Sequence, residues 1–112
     1  MSLTTPPKLF GTRRRTQVLL LLGLLEESYP SELAALLGTS IVTVHRIVDA
    51  LEEEGVIATR RLGRTRRLEL SRRYPGAAEL RSLLQVLAAG DGEVVEIAAR
   101  KRSRPRRKGK PS

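Results

Sequence analysis

The chain has 112 residues, of which 40 % are hydrophobic and 29 % charged, the size and composition of one soluble domain with a single core. It contains no cysteine and one histidine, which excludes disulfides, thiolate metal sites and cysteine nucleophiles. We therefore expect no metal and no cofactor. The longest apolar run, residues 18–25, is far shorter than the ~20 residues that cross a bilayer. No secretory signal opens the chain, so we expect a cytoplasmic, nucleoid-associated protein without membrane contact.

The charge is strongly basic and unevenly distributed. The chain has 21 basic and 12 acidic residues, a formal net charge of +9. Eight of the basic residues lie after residue 99, where there is no acid, and residues 60–73 hold seven arginines and one acid. Residues 16–57 instead hold seven acids and one arginine. An anionic partner is therefore expected to meet particular surfaces, and not the whole molecule.

The first predicted helix follows a flexible lead-in at residues 1–8. It begins after an N-cap at Thr12 and runs to about Glu27, where the Ser-Tyr-Pro sequence stops it. Its leucines occupy most of the helix circumference, which implies a second buried face. Two interpretations stay open: a central helix of a small bundle, or a helix with one side in the core and the other in a dimer interface.

Two short helices follow. The second helix opens at Pro30 or Ser31 and closes at Gly38, and the third runs from Ile41 to about Glu54 after an N-cap supplied by Thr39 and Ser40. At 100° per residue, the third helix has a core-facing and an outward-facing side. The core side comprises Val44, Ile47, Val48 and Leu51, and the outward side comprises Val42, His45, Arg46 and Asp49.

Residues 56–62 and 66–71 are extended runs that predict a β-hairpin with a three-residue loop. This register sets Arg61 opposite Arg67, and like charges directly opposite destabilise a hairpin. A phosphate lying over the pair would relieve the conflict.

A last clear helix is predicted over residues 76–89. Residues 91–99 could add a short helix capped by Asp91. Residues 100–112 are rich in arginine, lysine, proline and glycine, so they predict a disordered basic tail that attracts nucleic acid without sequence preference.

The spacing of Ala34, Gly38 and Val44 is Ala-x3-Gly-x5-Val, which is characteristic of a helix-turn-helix. A small residue lets the helices approach, the glycine accepts the positive φ of the turn, and the valine fills the wedge between them. Together with the arginine-rich hairpin, this pattern resembles a winged helix-turn-helix: a mainly α fold with a β-hairpin wing, a C-terminal helix and a basic tail. Residues 9–89 resemble the arsenic-repressor-like branch of these regulators and, more distantly, the multiple-antibiotic-resistance branch.

The resemblance implies a non-enzymatic homodimer that binds double-stranded DNA as a transcriptional repressor, with the third helix in the major groove. The metal sensing of that family does not carry over, because its cysteines are absent here. The expected base contacts are Ser40, Val42, Thr43, His45 and Arg46. The expected backbone or minor-groove contacts are Arg13, Arg14, Arg15, Arg60, Arg61, Arg64, Arg66 and Arg67. The expected dimer contacts are Leu19, Leu20, Leu22, Leu80, Leu83, Leu84 and Leu87.

Two alternatives belong to other functional classes. Winged helices also serve as protein-interaction modules, and the acidic stretch over residues 16–57 favours that use. The segment from Leu9 to Arg13 also resembles winged-helix domains found ahead of minimal nucleotidyltransferase domains. That similarity indicates a subunit that locates DNA for a separately encoded enzyme.

Overall fold

The computed structural model describes residues 10–103. Its helices are α1 (Arg13–Leu25), α2 (Pro30–Leu37), α3 (Ile41–Glu53), α4 (Ala77–Ala89) and α5 (Gly92–Ser103). Its strands are β1 (Glu27–Ser28), β2 (Ile57–Leu62) and β3 (Thr65–Leu70), and they form an antiparallel sheet in the order β1-β3-β2. The architecture is a mainly helical fold with a β-hairpin wing, as predicted. Within residues 10–103, no helix has both the length and the apolar character to span a membrane.

Local capping rules set the helix boundaries. The Thr12 side chain accepts a hydrogen bond from the backbone N–H of Arg15, and Ser40 does the same for Thr43. Gly38 has φ 66°, the left-handed conformation that a glycine C-cap supplies. The predicted caps at these three positions are therefore confirmed.

The predicted extension of the first helix to Glu27 is wrong, because α1 ends at Leu25. Glu27 and Ser28 form the short strand β1, which pairs with the end of β3. The next residue, Tyr29, is extended and directly precedes Pro30, and a proline disfavours helical backbone in the residue before it. The chain thus enters the sheet before α2 begins.

Helix α1 is the central helix of a small bundle. Its residues 16–23 are buried, and it packs against α4, α5 and the sheet. This arrangement explains the apolar circumference without a second subunit. Leu19, Leu20, Leu22 and Leu84 were expected at a dimer interface, but they lie in the chain's own core and have almost no exposed surface. Half-buried Leu80 and Leu87 and exposed Leu83 retain surface for such a contact.

The hairpin register differs by one residue from the predicted one. Leu62 pairs with Thr65, so the loop contains two residues and not three. Gly63 has φ 65° at the first central position, where a type II′ turn takes glycine. Arg61 consequently faces Arg66, and Arg60 faces Arg67. Two like-charge pairs replace the single predicted pair.

Helix α5 is longer than the predicted helix over 91–99. The Asp91 side chain accepts from the Val94 N–H at 3.2 Å and caps the helix, as predicted. The helix continues through residues 100–103, which were expected to be disordered. The predictions for residues 1–8 and for the tail after residue 103 lie outside the described residues.

Candidate nucleic-acid interface

A groove of about 600 Å³ lies between α3, the start of α2 and the β2–β3 hairpin, which we call the wing. Its lining residues are Tyr29, Pro30, Ser31, Ile41, His45, Arg61, Arg64, Thr65 and Arg66. The α2 members of this set were not predicted. The sequence signal for them was Pro30, which marks the start of a helix. The first turn of a helix leaves backbone N–H groups without helical partners, so these groups are available to a ligand in the groove.

The outward side of α3 matches the predicted helical projection. Val44, Val48 and Leu51 are completely buried, whereas Val42 is 62 % exposed and Arg46 is also exposed. The N-terminal half of α3 therefore presents a side-chain surface that the core does not need.

Two of the expected base contacts bond to each other. The Ser40 hydroxyl donates to Thr43 Oγ1 at 2.9 Å while it accepts from the Thr43 N–H at 3.1 Å. Ser40 is therefore occupied as the helix cap.

Arg66 joins the wing to α3. Its Nη1 lies 3.0 Å from His45 Nδ1, and its Nη2 donates to Asp49 Oδ1 and Glu52 Oε1, both at 2.9 Å. Glu52 also accepts from the Thr59 hydroxyl at 2.6 Å. Only 18 % of the Arg66 side chain is exposed. This arginine, expected at the DNA backbone, is therefore neutralised inside the protein.

Arg13 is also neutralised by carboxylates of the protein, and it does not line the groove. It donates to Asp91 at 3.0 Å and to Glu93 at 2.8 Å, and these two hydrogen bonds raise its pKa. Burial raises the pKa of Asp91, but the hydrogen bonds from Arg13 and from the Val94 N–H outweigh burial. The pKa of Asp91 is consequently below its ordinary value, so the carboxylate stays ionised and holds α1 against the start of α5.

Most other predicted backbone arginines have partners as well. Arg15 bonds to Glu54 at 2.6 Å, and Arg67 bonds to Glu27 at 3.0 Å. The remaining two contacts are weaker: Arg60 lies 4.0 Å from Glu69, and Arg14 donates to the Gln17 side chain at 2.9 Å.

Three arginines of the predicted interface are left available. Arg46 on α3 and Arg61 and Arg64 on the wing are exposed and form no ion pair within residues 10–103. Arg61 and Arg64 line the groove, and Arg46 lies one residue after groove-lining His45. In the described part of the chain, no cluster of three or more histidine, cysteine or acidic side chains could hold a metal ion.

Comparisons with known proteins agree with this geometry. Residues 30–73, from α2 through the wing, match the model of the Crp-like helix-turn-helix domain. The adhesin competence repressor of Streptococcus pyogenes has a similar solved structure, with 17 % sequence identity, a TM-score of 0.53, and coverage of 82 % of this chain and 77 % of that chain. No curated protein matches the sequence. The described chain thus has a winged helix-turn-helix fold.

Proposed function

We propose that the chain is a sequence-specific DNA-binding transcriptional regulator that reads the major groove of duplex DNA with α3 and contacts the backbone with the wing. The observation that carries this proposal is the groove between α3 and the wing, which Arg61 and Arg64 line without ion pairs, together with Arg46, which is exposed on α3 without an ion pair. A major groove admits one helix, and wing arginines beside it can reach phosphates or the minor groove. The match of residues 30–73 to a helix-turn-helix domain supports the same use.

The acids on α3 do not oppose this orientation. Asp49 and Glu52 are both bonded to Arg66, and Glu54 just after the helix is bonded to Arg15. Arg66 offsets one of the two charges of Asp49 and Glu52, and Arg15 offsets the charge of Glu54, so repulsion of phosphate is reduced. The remaining acid of α3, Glu53, is exposed at the C-terminal end of the helix. The N-terminal half of α3, where the base contacts are proposed, has no acid before Asp49.

Within α3, we assign Arg46 to a guanine and Val42 to a thymine methyl group. An arginine can donate two parallel hydrogen bonds to guanine O6 and N7, and exposed aliphatic carbon packs against the methyl group. Arg46→Ala should therefore relax the preference at one base position and cost about 1–3 kcal/mol on the preferred duplex. Fluorescence anisotropy on single-position variants of that duplex measures both effects.

Selection of bound sequences from a random duplex pool tests the function directly. Enrichment of one motif supports sequence-specific binding. A control variant, Arg81→Ala on α4, removes a cation outside the groove and should enrich the same motif. Failure to enrich any motif would overturn the proposed function. Copurification of an unrelated chain would instead favour an interaction module or an enzyme partner.

We further propose a homodimer that represses by occupying a promoter, as the arsenic-repressor-like resemblance implies. On the outer side of α4, Leu83 is 45 % and Val86 69 % exposed, and Leu80 and Leu87 are half-buried nearby. These four aliphatic side chains lie on one helix, and exposing neighbouring aliphatic side chains to water costs free energy, which favours a partner surface over them. An enriched palindrome would support the dimer. So would sedimentation of the unaltered chain as a dimer and of the Val86→Lys variant as a monomer.

The basic tail is proposed as a sequence-independent arm. Lys101 Nζ donates to Glu32 Oε1 at 3.0 Å, and Glu32 lies in the first turn of α2. The chain at residue 101 is therefore close to the helix whose opening residues line the groove. Basic residues after this point would add electrostatic attraction to phosphates beside the specific contacts.

A further inference from the structure

We infer that Arg66 holds His45 in the neutral tautomer with its proton on Nε2, so that His45 donates a hydrogen bond to an acceptor atom of the bound nucleic acid. The inference rests on the proposed function and names the chemistry that one recognition residue reads. The acceptor class comprises guanine N7 and O6, adenine N7, thymine O4 and the phosphate oxygens.

The first step is the direction of the bond between Arg66 and His45. A guanidinium carries five N–H donors and no acceptor, and it stays protonated in proteins. The 3.0 Å contact between Arg66 Nη1 and His45 Nδ1 must therefore have arginine as donor and Nδ1 as acceptor. A ring nitrogen that accepts carries no proton, so the proton of the neutral imidazole is on Nε2.

The second step is that Arg66 is fixed in this role. Its other terminal nitrogen is bonded to both Asp49 and Glu52 on the same helix as His45, and its side chain is largely buried. The two carboxylates aim the guanidinium at the imidazole, as an outer partner fixes the tautomer of a metal-bound histidine. Both acids are thereby engaged with Arg66.

The third step is that the donor is available. His45 lines the groove, and its Nε2 has no hydrogen-bond partner within residues 10–103. The other charged groups that line the groove are Arg61, Arg64 and Arg66, which cannot accept a hydrogen bond from Nε2–H. The hydroxyls that line the groove, on Tyr29, Ser31 and Thr65, are not bonded to His45. A ligand acceptor is therefore the partner that this donor lacks. The 4-amino group of cytosine and the 6-amino group of adenine, which are donors, would not satisfy it.

The tautomer can be measured without DNA, because His45 is the one histidine of the chain. In the ¹⁵N-labelled full chain, at a pH where the ring is neutral, two-dimensional ¹H–¹⁵N spectra should show unprotonated Nδ1 and protonated Nε2. Free imidazole also populates this form in part, so the diagnostic is the variant. Arg66→Ala should introduce the Nδ1–H form, whereas Arg67→Ala, next in the strand and paired with Glu27, should not. A protonated Nδ1 in the unaltered chain, or no change in Arg66→Ala, would overturn the inference.

The acceptor is identified on the duplex enriched from the random pool. Each purine is replaced in turn by its 7-deaza analogue, each guanine also by 2-aminopurine, which lacks O6, each thymine by an analogue without O4, and each phosphate by a methylphosphonate. One base replacement should weaken binding by roughly 2- to 12-fold for the unaltered chain and leave His45→Ala binding unchanged. A methylphosphonate with that pattern would identify a phosphate acceptor instead. If a duplex is enriched but no replacement is coupled to His45, the inference fails while the proposed function stands.

Discussion

Removal of Arg61 and Arg64 together should lower the salt dependence of DNA binding by about two units. Each phosphate neutralised by an arginine adds about 0.9 to the slope of log affinity against log salt on duplex DNA. Both arginines are exposed, line the groove and have no ion pair within the described residues, so two contacts give a change of about 1.8. When the salt rises from 50 to 200 mM, the affinity of both proteins falls, and the factor by which it falls should be about 12 times smaller for the double alanine variant than for the unaltered chain. Fluorescence anisotropy titrations at four or five salt concentrations provide the slope.

The matched control removes the same net charge from a different pair. Arg15 and Arg67 are bonded to Glu54 and Glu27 within the protein, so their double alanine variant should retain most of the slope. Circular dichroism confirms that both variants are folded at the assay temperature. An equal decrease in slope for the two variants would show that bulk charge governs binding. An unchanged slope without Arg61 and Arg64 would show that the wing does not contact phosphate.

Two predictions concern the stability of the scaffold. Asp91→Ala removes the cap of α5 and one of the two carboxylate partners of Arg13, and it should cost about 2 kcal/mol by urea unfolding at neutral pH. Because the pKa of Asp91 is lowered in the folded state, its stabilisation is present above the unfolded pKa of about 3.9 and lost as the pH falls through the lower folded value. The difference between the two proteins should therefore be constant from neutral pH to about pH 5 and shrink below about pH 3.9; a difference that is unchanged at lower pH would contradict the ion pair. Gly23→Val should lower the midpoint of thermal unfolding, because a Cβ at Gly23 would lie 3.0 Å from Leu84 Cβ and overpacking costs about 1–3 kcal/mol; an unchanged midpoint would show that α1 and α4 can separate freely.

The parts of the fold that follow local rules could be predicted from the sequence. Ser40 and Thr12 cap helices through bonds to residues three positions later, and Gly38 ends α2 through its own backbone conformation. The outward side of α3 also follows from helical geometry alone, which is why Val42 and Arg46 are exposed as expected. None of these features needs a contact from a distant segment.

Features that depend on distant pairing could not be obtained in the same way. Strand β1 exists only because β3 offers Leu68 and Glu69 as partners about 40 residues later in the sequence. The hairpin register depended on whether Thr65 belonged to the loop or to the strand. Both choices keep glycine in the turn, and the observed pairing of Leu62 with Thr65, with Gly63 at positive φ as the first of two central residues, decides between them. A shift of one residue then changed every facing pair, including the arginines.

The arginines show most clearly why composition overstates a nucleic-acid interface. Eight arginines were predicted at the DNA backbone, and four of them, Arg13, Arg15, Arg66 and Arg67, have carboxylate partners at 3.0 Å or less. Their partners lie 14 to 80 residues away in sequence. A net charge summed over one segment therefore misses ion pairs that the fold forms between segments. The acidic stretch over residues 16–57 supplies the carboxylates that neutralise Arg15, Arg66 and Arg67. Neither the acidic stretch nor these three arginines can therefore be counted separately for or against DNA binding. Eight contacts would give a salt slope of about 7, whereas the two groove-lining arginines without ion pairs account for about 2. The measured slope of a chain truncated after residue 103 distinguishes the two values, because the basic residues beyond it are then removed.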